Sequence, residues 1–171
     1  MEQEKKAAKN SWVEMTEMVL PQHTNALGTV FGGVVLSWVD IAAAICAQRH
    51  AGKAVVTASM DAMHFLSPVR LGWIVSIRAS VNYTSKTSCE VGVKVVSEDP
   101  ISREKHHTAS AYLTMVALDG HSRPTPMSGL LLETDAERRR YEEAEARRAS
   151  RLELKQTLEM RRLKKFDSSE K

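Results

Sequence analysis

Residues 34–47 read V-V-L-S-W-V-D-I-A-A-A-I-C-A, an apolar run broken only by Ser37 and Asp40. A run this apolar fits a helix that is hydrophobic on every side and therefore buried. It is too short to cross a bilayer, which needs about 20 such residues. The rest of the chain must supply the cover. Four segments suited to that role follow, at residues 54–65, 73–83, 89–97 and 106–118. Their alternation is clearest where Ile74, Ser76, Arg78 and Ser80 interleave with Val75, Ile77, Ala79 and Val81, the pattern of half-buried antiparallel strands. Ser67-Pro68 with Gly72, Ser85-Lys86 and Asp99-Pro100 mark the breaks. Residues 13–20, which stop at Pro21, read as an edge strand. Strands arriving in succession after one helix predict an α+β domain in which a long antiparallel sheet buries a single helix.

The 171 residues suit one core. The expected organisation is a polar N-terminal segment at 1–12, the folded domain at 13–120, and a linker with a charged helical tail at 121–171. In that tail Tyr141, Ala144, Leu152, Leu158 and Leu163 form a broken apolar stripe. It suits a solvated helix lying on a neighbour better than a sustained coiled coil. The net charge of +3 comes from 24 basic and 21 acidic side chains without a Lys/Arg block, so nucleic acid is not an expected partner. Cys46 and Cys89 sit in apolar surroundings without C-x-x-C spacing and read as buried, reduced thiols, which suits the cytoplasm. Residues 1–10 do not read as a secretory signal.

Asp40 is the residue most in need of explanation. A carboxylate inside an apolar helix costs several kcal/mol unless it is paired or faces a polar cavity. It is a buried acid satisfied by a donor, a residue on an exposed stripe, which the apolar neighbours and turns argue against, or a general base. Gly32 and Gly33 precede the helix, where free N–H groups and the dipole favour negative charge and glycine permits close approach, the expected setting for an oxyanion. Asn25, in the polar loop upstream, could donate an N–H to a carbonyl oxygen, hold a water, or simply form a turn. Seven helical residues separate Gly33 from Asp40, roughly 10 Å, too far to serve one carbonyl. If both act in catalysis, the Asp must meet the helix start of a second subunit. The histidines, His23, His64, His106 and His107 among them, lack metal-ligand spacing, and no G-x-S-x-G elbow occurs.

Three runs resemble the hotdog-fold acyl-CoA thioesterases, the cytosolic and brain-type acyl-CoA hydrolases. They are T-N-A-L-G-T-V-F-G-G-V-V-L-S-W-V-D from Thr24, V-T-A-S-M-D-A-M-H-F-L-S-P-V-R-L-G from Val56, and Y-T-S-K-T-S-C-E-V-G-V from Tyr83. The resemblance implies a central helix wrapped by a five-stranded antiparallel sheet, dimers with a continuous sheet, and usually a trimer of such dimers. It implies hydrolysis of acyl-CoA to fatty acid and CoA, with Asn25 and Asp40 as the catalytic pair supplied by opposite subunits; the Gly33 N–H at the helix start joins Asn25 as the expected oxyanion donor. It further implies no cofactor, CoA being part of the substrate, and no membrane partner. In that family the segment of Thr84, Ser85, Lys86 and Ser88 approaches CoA, which with Gly32 and Arg70 makes a candidate substrate-binding set. Two rivals remain: a hotdog hydratase or dehydratase, to whose His-Phe-Pro region His64 to Pro68 bears a faint likeness, and a non-catalytic acyl-CoA sensor.

Overall fold

A computed structural model of the chain describes residues 5–169, with side chains through residue 162. The ends of the polar N-terminal segment and of the charged tail, residues 1–4 and 170–171, lie outside the described residues, as does the side chain of Leu163. In chain order the elements are β1 (Lys5–Ala7), β2 (Val13–Met18), α1 (Gly32–Ala51), β3 (Ala54–Met60), β4 (Ile74–Thr84), β5 (Ser88–Glu98), β6 (Lys105–Leu118), β7 (Gly129–Leu131) and α2 (Asp135–Ser169). Short 3-10 turns occupy Ala8–Asn10 and Pro21–His23.

The chain divides into two compact units, the second beginning at Thr134. In the first, five antiparallel strands run in the order β2-β4-β5-β6-β3. Their inward residues pack on α1: Val75, Ile77 and Ala79 from β4, Val91, Val93 and Val95 from β5, and Ala111, Leu113 and Met115 from β6 are all essentially inaccessible to water. Each of the larger of these is worth roughly 1.5–3 kcal/mol of burial. This is the hotdog arrangement, a central helix against a curled five-stranded antiparallel sheet.

Several local outcomes differ from the sequence reading. α1 begins at Gly32 rather than Val34 and continues to Ala51, where Gly52 closes it in the left-handed conformation at φ 63°. It is not buried on every side. Val35, Val39, Ala42, Ala43, Cys46 and Ala47 face the sheet, while Gly33, Ser37 and Ile41 stay exposed, Ile41 to 45%. A single sheet covers one side of a helix, and the opposite stripe is left open. β3 stops at Met60 instead of reaching Phe65: its pairing with β6 is irregular between Thr57 and Ser59, and beyond it only the Asp61 and Leu66 N–H groups bond back to β6, at 3.0 and 2.8 Å. The polar segment before β2 contributes β1, which pairs in parallel with β7.

The second unit is α2, opened by a reciprocal cap in which the Glu137 N–H donates to Thr134 Oγ1 at 3.2 Å and the Thr134 N–H donates to Glu137 Oε2 at 2.9 Å. Ion pairs along it, Arg138 with Asp135 and Lys155 with Glu159 among them, are exposed and contribute little each. No helix among the described residues is long and apolar enough to cross a membrane.

The last turn of α1 buries His50 to 1% exposure. Its Nε2 lies 3.2 Å from the Ser128 carbonyl oxygen, the Lys6 ammonium donates to the His50 carbonyl, and Nδ1 has no hydrogen-bond partner among the described residues. Burial lowers the imidazole pKa below its ordinary value; the bond to Ser128 opposes this and the Lys6 charge adds to it. The unfolded chain therefore takes up the proton first, so stability is complete above about pH 6.5 and falls as the pH drops from there toward the folded-state pKa. Urea unfolding at stepped pH should show this loss in the wild type and a smaller one in His50→Gln, which has no proton to gain.

Candidate functional site

The candidate residues distribute along α1 and its flanking loops. At the helix start, Phe31 has no side-chain cap to offer, and the Gly32 and Gly33 N–H groups have no acceptor among the described residues. Both glycines have an aromatic ring close by, which a side chain would have to displace. A Cβ on Gly33 would stand 2.5 Å from Phe31 Cε1, and one on Gly32 would stand 3.3 Å from Phe65 Cζ. Two half-exposed phenylalanine rings thus flank a pair of free backbone donors, the arrangement that stabilises an oxyanion. An open groove of about 350 Å³ adjoins them, lined by Thr29, Gly32, Phe65, Leu66, Ser67 and Val69 among others.

Asn25 lies in the loop that leads into this helix start. Its Oδ1 accepts from the Leu27 N–H at 2.9 Å and the Thr29 N–H at 3.3 Å, and its Nδ2 donates to Thr29 Oγ1 at 3.0 Å. The carbonyl end is consumed locally. What the side chain can offer a ligand is its remaining N–H.

Asp40 is two turns along the helix, half-buried and on the open stripe with Gly33 and Ser37. Thr57 of β3 donates its hydroxyl to Asp40 Oδ1 at 2.6 Å. Such a short bond to a carboxylate is a strong one and fixes the rotamer, leaving Oδ2 for other work. The sequence reading missed Thr57, because a threonine in V-V-T-A-S is ordinary strand chemistry. Only the turn from α1 back along β3 brings it to the carboxylate.

The substrate-binding candidates fall at two ends of the domain. Arg70 is exposed beside the helix start, bridged to Thr29. Thr84, Ser85, Lys86 and Ser88 form the β4–β5 hairpin near the helix end, where the Ala117 N–H donates to Thr87 and the Met127 N–H to Lys86. A 20-residue helix separates these groups by roughly 30 Å within one protomer. In the hairpin, Ser85 and Ser88 hydroxyls bond each other at 2.7 Å and Thr84 Oγ1 accepts from the Leu130 N–H, while Lys86 is exposed.

The remaining reactive side chains have other neighbours. His23 Nδ1 accepts from the Leu20 N–H and its ring meets Trp38 edge-on, His106 stacks on Trp73, and His64 is exposed. Burial pushes the Cys89 thiol up to about 12 and the Cys46 thiol up to about 11, so neither is a thiolate at neutral pH.

Comparison with known proteins identifies the family and the fold. Residues 27–103 match the family model of the thioesterase superfamily. The acyl-CoA thioester hydrolase YkhA of Bacillus subtilis, itself uncharacterized, is 38% identical over 134 residues, 78% of this chain and 78% of that one. A solved hexameric acyl-CoA thioesterase superposes with a TM-score of 0.85 at 39% identity, covering 88% of this chain and 96% of its own. An acyl-CoA hydrolase from Staphylococcus aureus, solved with butyryl-CoA, CoA and CoA disulfide, superposes at 0.81 with 39% identity over 91% of this chain and 98% of its own. Alanine variants of that hydrolase have been solved at one asparagine, one aspartate and one threonine, which stand at the same intervals along their chain as Asn25, Asp40 and Thr57 do here. On fold, sequence and the spacing of its polar residues, this chain belongs to the thioesterase superfamily, in its branch of hotdog-fold acyl-CoA thioester hydrolases.

Proposed function

We propose that the chain hydrolyses acyl-CoA thioesters with a base-activated water, at a site each dimer forms by joining the helix start of one subunit to Asp40 of the other. The observation that carries this reading is the Asp40–Thr57 pair on the open stripe of α1. A carboxylate oriented by a strand hydroxyl lies on the open stripe, and its Oδ2 has no partner among the described residues. Oδ2 takes a proton from water as the oxygen attacks the thioester carbonyl. Negative charge then gathers on the carbonyl oxygen, which the Gly33 N–H and the spare Asn25 N–H of the other subunit hold. Collapse expels the CoA thiolate. No metal or organic cofactor enters this scheme.

Sharing between subunits is supported by what α1 leaves uncovered. Gly33, Ser37, Ile41 and the partly exposed Asp40 share one side of the helix, and the edge strand β3 beside it is exposed along most of its length. A two-fold pairing of helices running in opposite directions covers this stripe and sets each Asp40 near the other subunit's helix start. The same pairing carries the Lys86 hairpin of one subunit toward Arg70 and Gly32 of the other, so the two separated halves of the binding set converge on one CoA. A homodimer is thus the least active unit, and a trimer of dimers, as in the hexameric relative, is the proposed assembly.

Removing the base tests the chemistry. Asp40→Asn should lower thiol release from acyl-CoA by about 100-fold or more with folding and assembly intact. Thr57→Val should lower it by about tenfold, with Thr57→Ser recovering most of the loss. Wild-type turnover by folded Asp40→Asn removes Asp40 from the mechanism. An enoyl absorbance change without thiol release would instead favour the hydratase, and tight binding without either would favour a sensor.

Mixing tests the sharing. Asn25→Ala and Asp40→Ala, each inactive alone, are unfolded together and refolded. In a mixed dimer one site carries both lesions and the other carries none. Random pairing makes half of the dimers mixed, so about a quarter of wild-type activity should return. A mixture that contains mixed dimers, identified by mass, yet stays inactive would place both residues in one chain's site.

A further inference from the structure

We infer that Thr29 is a positioning residue, whose hydroxyl holds the Asn25 amide in the orientation that aims its spare N–H at the reacting carbonyl. The inference rests on the proposed role of Asn25 as a carbonyl donor. An exposed asparagine on a loop samples several rotamers, and a donor that wanders does little for a transition state. Something must fix it.

Two of the fixing contacts come from the backbone. The Leu27 and Thr29 N–H groups both point at Oδ1, and since both are donors they identify that atom as the oxygen. These bonds anchor one end of the amide and leave it free to pivot about that end. The second point of attachment is Nδ2 to Thr29 Oγ1 at 3.0 Å. With both ends tied the plane of the amide is set, and its remaining N–H has no partner among the described residues.

Thr29 is itself held, so it can hold something else. The Asn25 N–H donates to the Thr29 carbonyl at 2.8 Å, and the Gly28 N–H donates to the Asn25 carbonyl at 3.0 Å. Gly28, at φ 71°, supplies the left-handed residue that this tight loop requires. On its far side Thr29 is bridged to Arg70, and the next residue donates to the Val69 carbonyl at 2.8 Å. The orientation of Asn25 is therefore referred through one hydroxyl to the connection between β3 and β4. That hydroxyl is engaged on both amide atoms, 3.0 Å from Nδ2 and 3.2 Å from Oδ1, which makes Thr29 a support for Asn25.

Thr29→Val keeps the shape, the β-branching and the backbone N–H, and removes only the hydroxyl. It should lower kcat by about tenfold while KM stays within about twofold, the signature of a misaimed donor. Thr29→Ser, which retains the hydroxyl, should return kcat to within about threefold of wild type. Thr29→Ala serves as a second deletion should the valine variant melt early. A folded hydroxyl-free variant with wild-type kcat overturns the inference, as does a loss confined to KM or a serine variant as slow as the valine. Asn25→Ala measured alongside separates the two readings. If it turns over normally, the catalytic role of Asn25 is wrong; if it is inactive while Thr29→Val is normal, only the role of Thr29 is wrong.

Discussion

Burial of one side of α1 against β4, β5 and β6 is the contact on which the rest of this domain depends. It takes Val35, Val39 and Cys46 out of water and fixes the helix in rotation, so that residues on the opposite side are presented rather than hidden. Gly33, Ser37 and Asp40 owe their position to that rotation. A turn of the helix about its own axis by one residue would carry Asp40 into the valine-lined interior, where its charge would cost several kcal/mol. The core packing and the placement of the carboxylate are thus one constraint.

The polar groups of the candidate site are held at short range by neighbouring hydroxyls and backbone N–H groups. Thr57 orients Asp40, Thr29 and two backbone N–H groups orient Asn25, and the Phe31 and Phe65 rings close around glycines that have no side chain to move. Asn25 and Asp40 each sit on an element tied into the sheet or its connections. In the proposed reaction, preorganisation of this kind spares the reacting system the cost of arranging its own dipoles.

Much of this was legible in the sequence, and the residues show why. Asp40 stood out because a carboxylate within V-V-L-S-W-V-D-I-A-A-A-I is out of keeping with its neighbours in sequence, whereas the fold sets it half-buried on the open stripe of the helix. The alternating strands and the paired glycines were readable for the same reason, since each follows from local chemistry. The degree of burial of α1 was not, because an apolar residue does not reveal whether its own chain or a neighbour will cover it. Thr57 and Thr29 were invisible: threonines are ordinary in strands and loops, and their meaning arises only from partners brought near by the fold. β1 escaped notice because three residues carry no period, and the 30 Å gap between Arg70 and Lys86 within one protomer follows from topology alone.

The parallel pairing of β1 with β7 ties Lys5, Lys6 and Ala7 to Gly129, Leu130 and Leu131. Entry and exit of the first unit are therefore clasped side by side, and neither end frays on its own. Peeling residues 5–7 away strips β7 of its backbone partner and withdraws the Lys6 ammonium from the end of α1, and peeling β7 does the same in reverse. Proteolytic nicking at either strand is felt at the other, more than a hundred residues along the chain yet one hydrogen bond away.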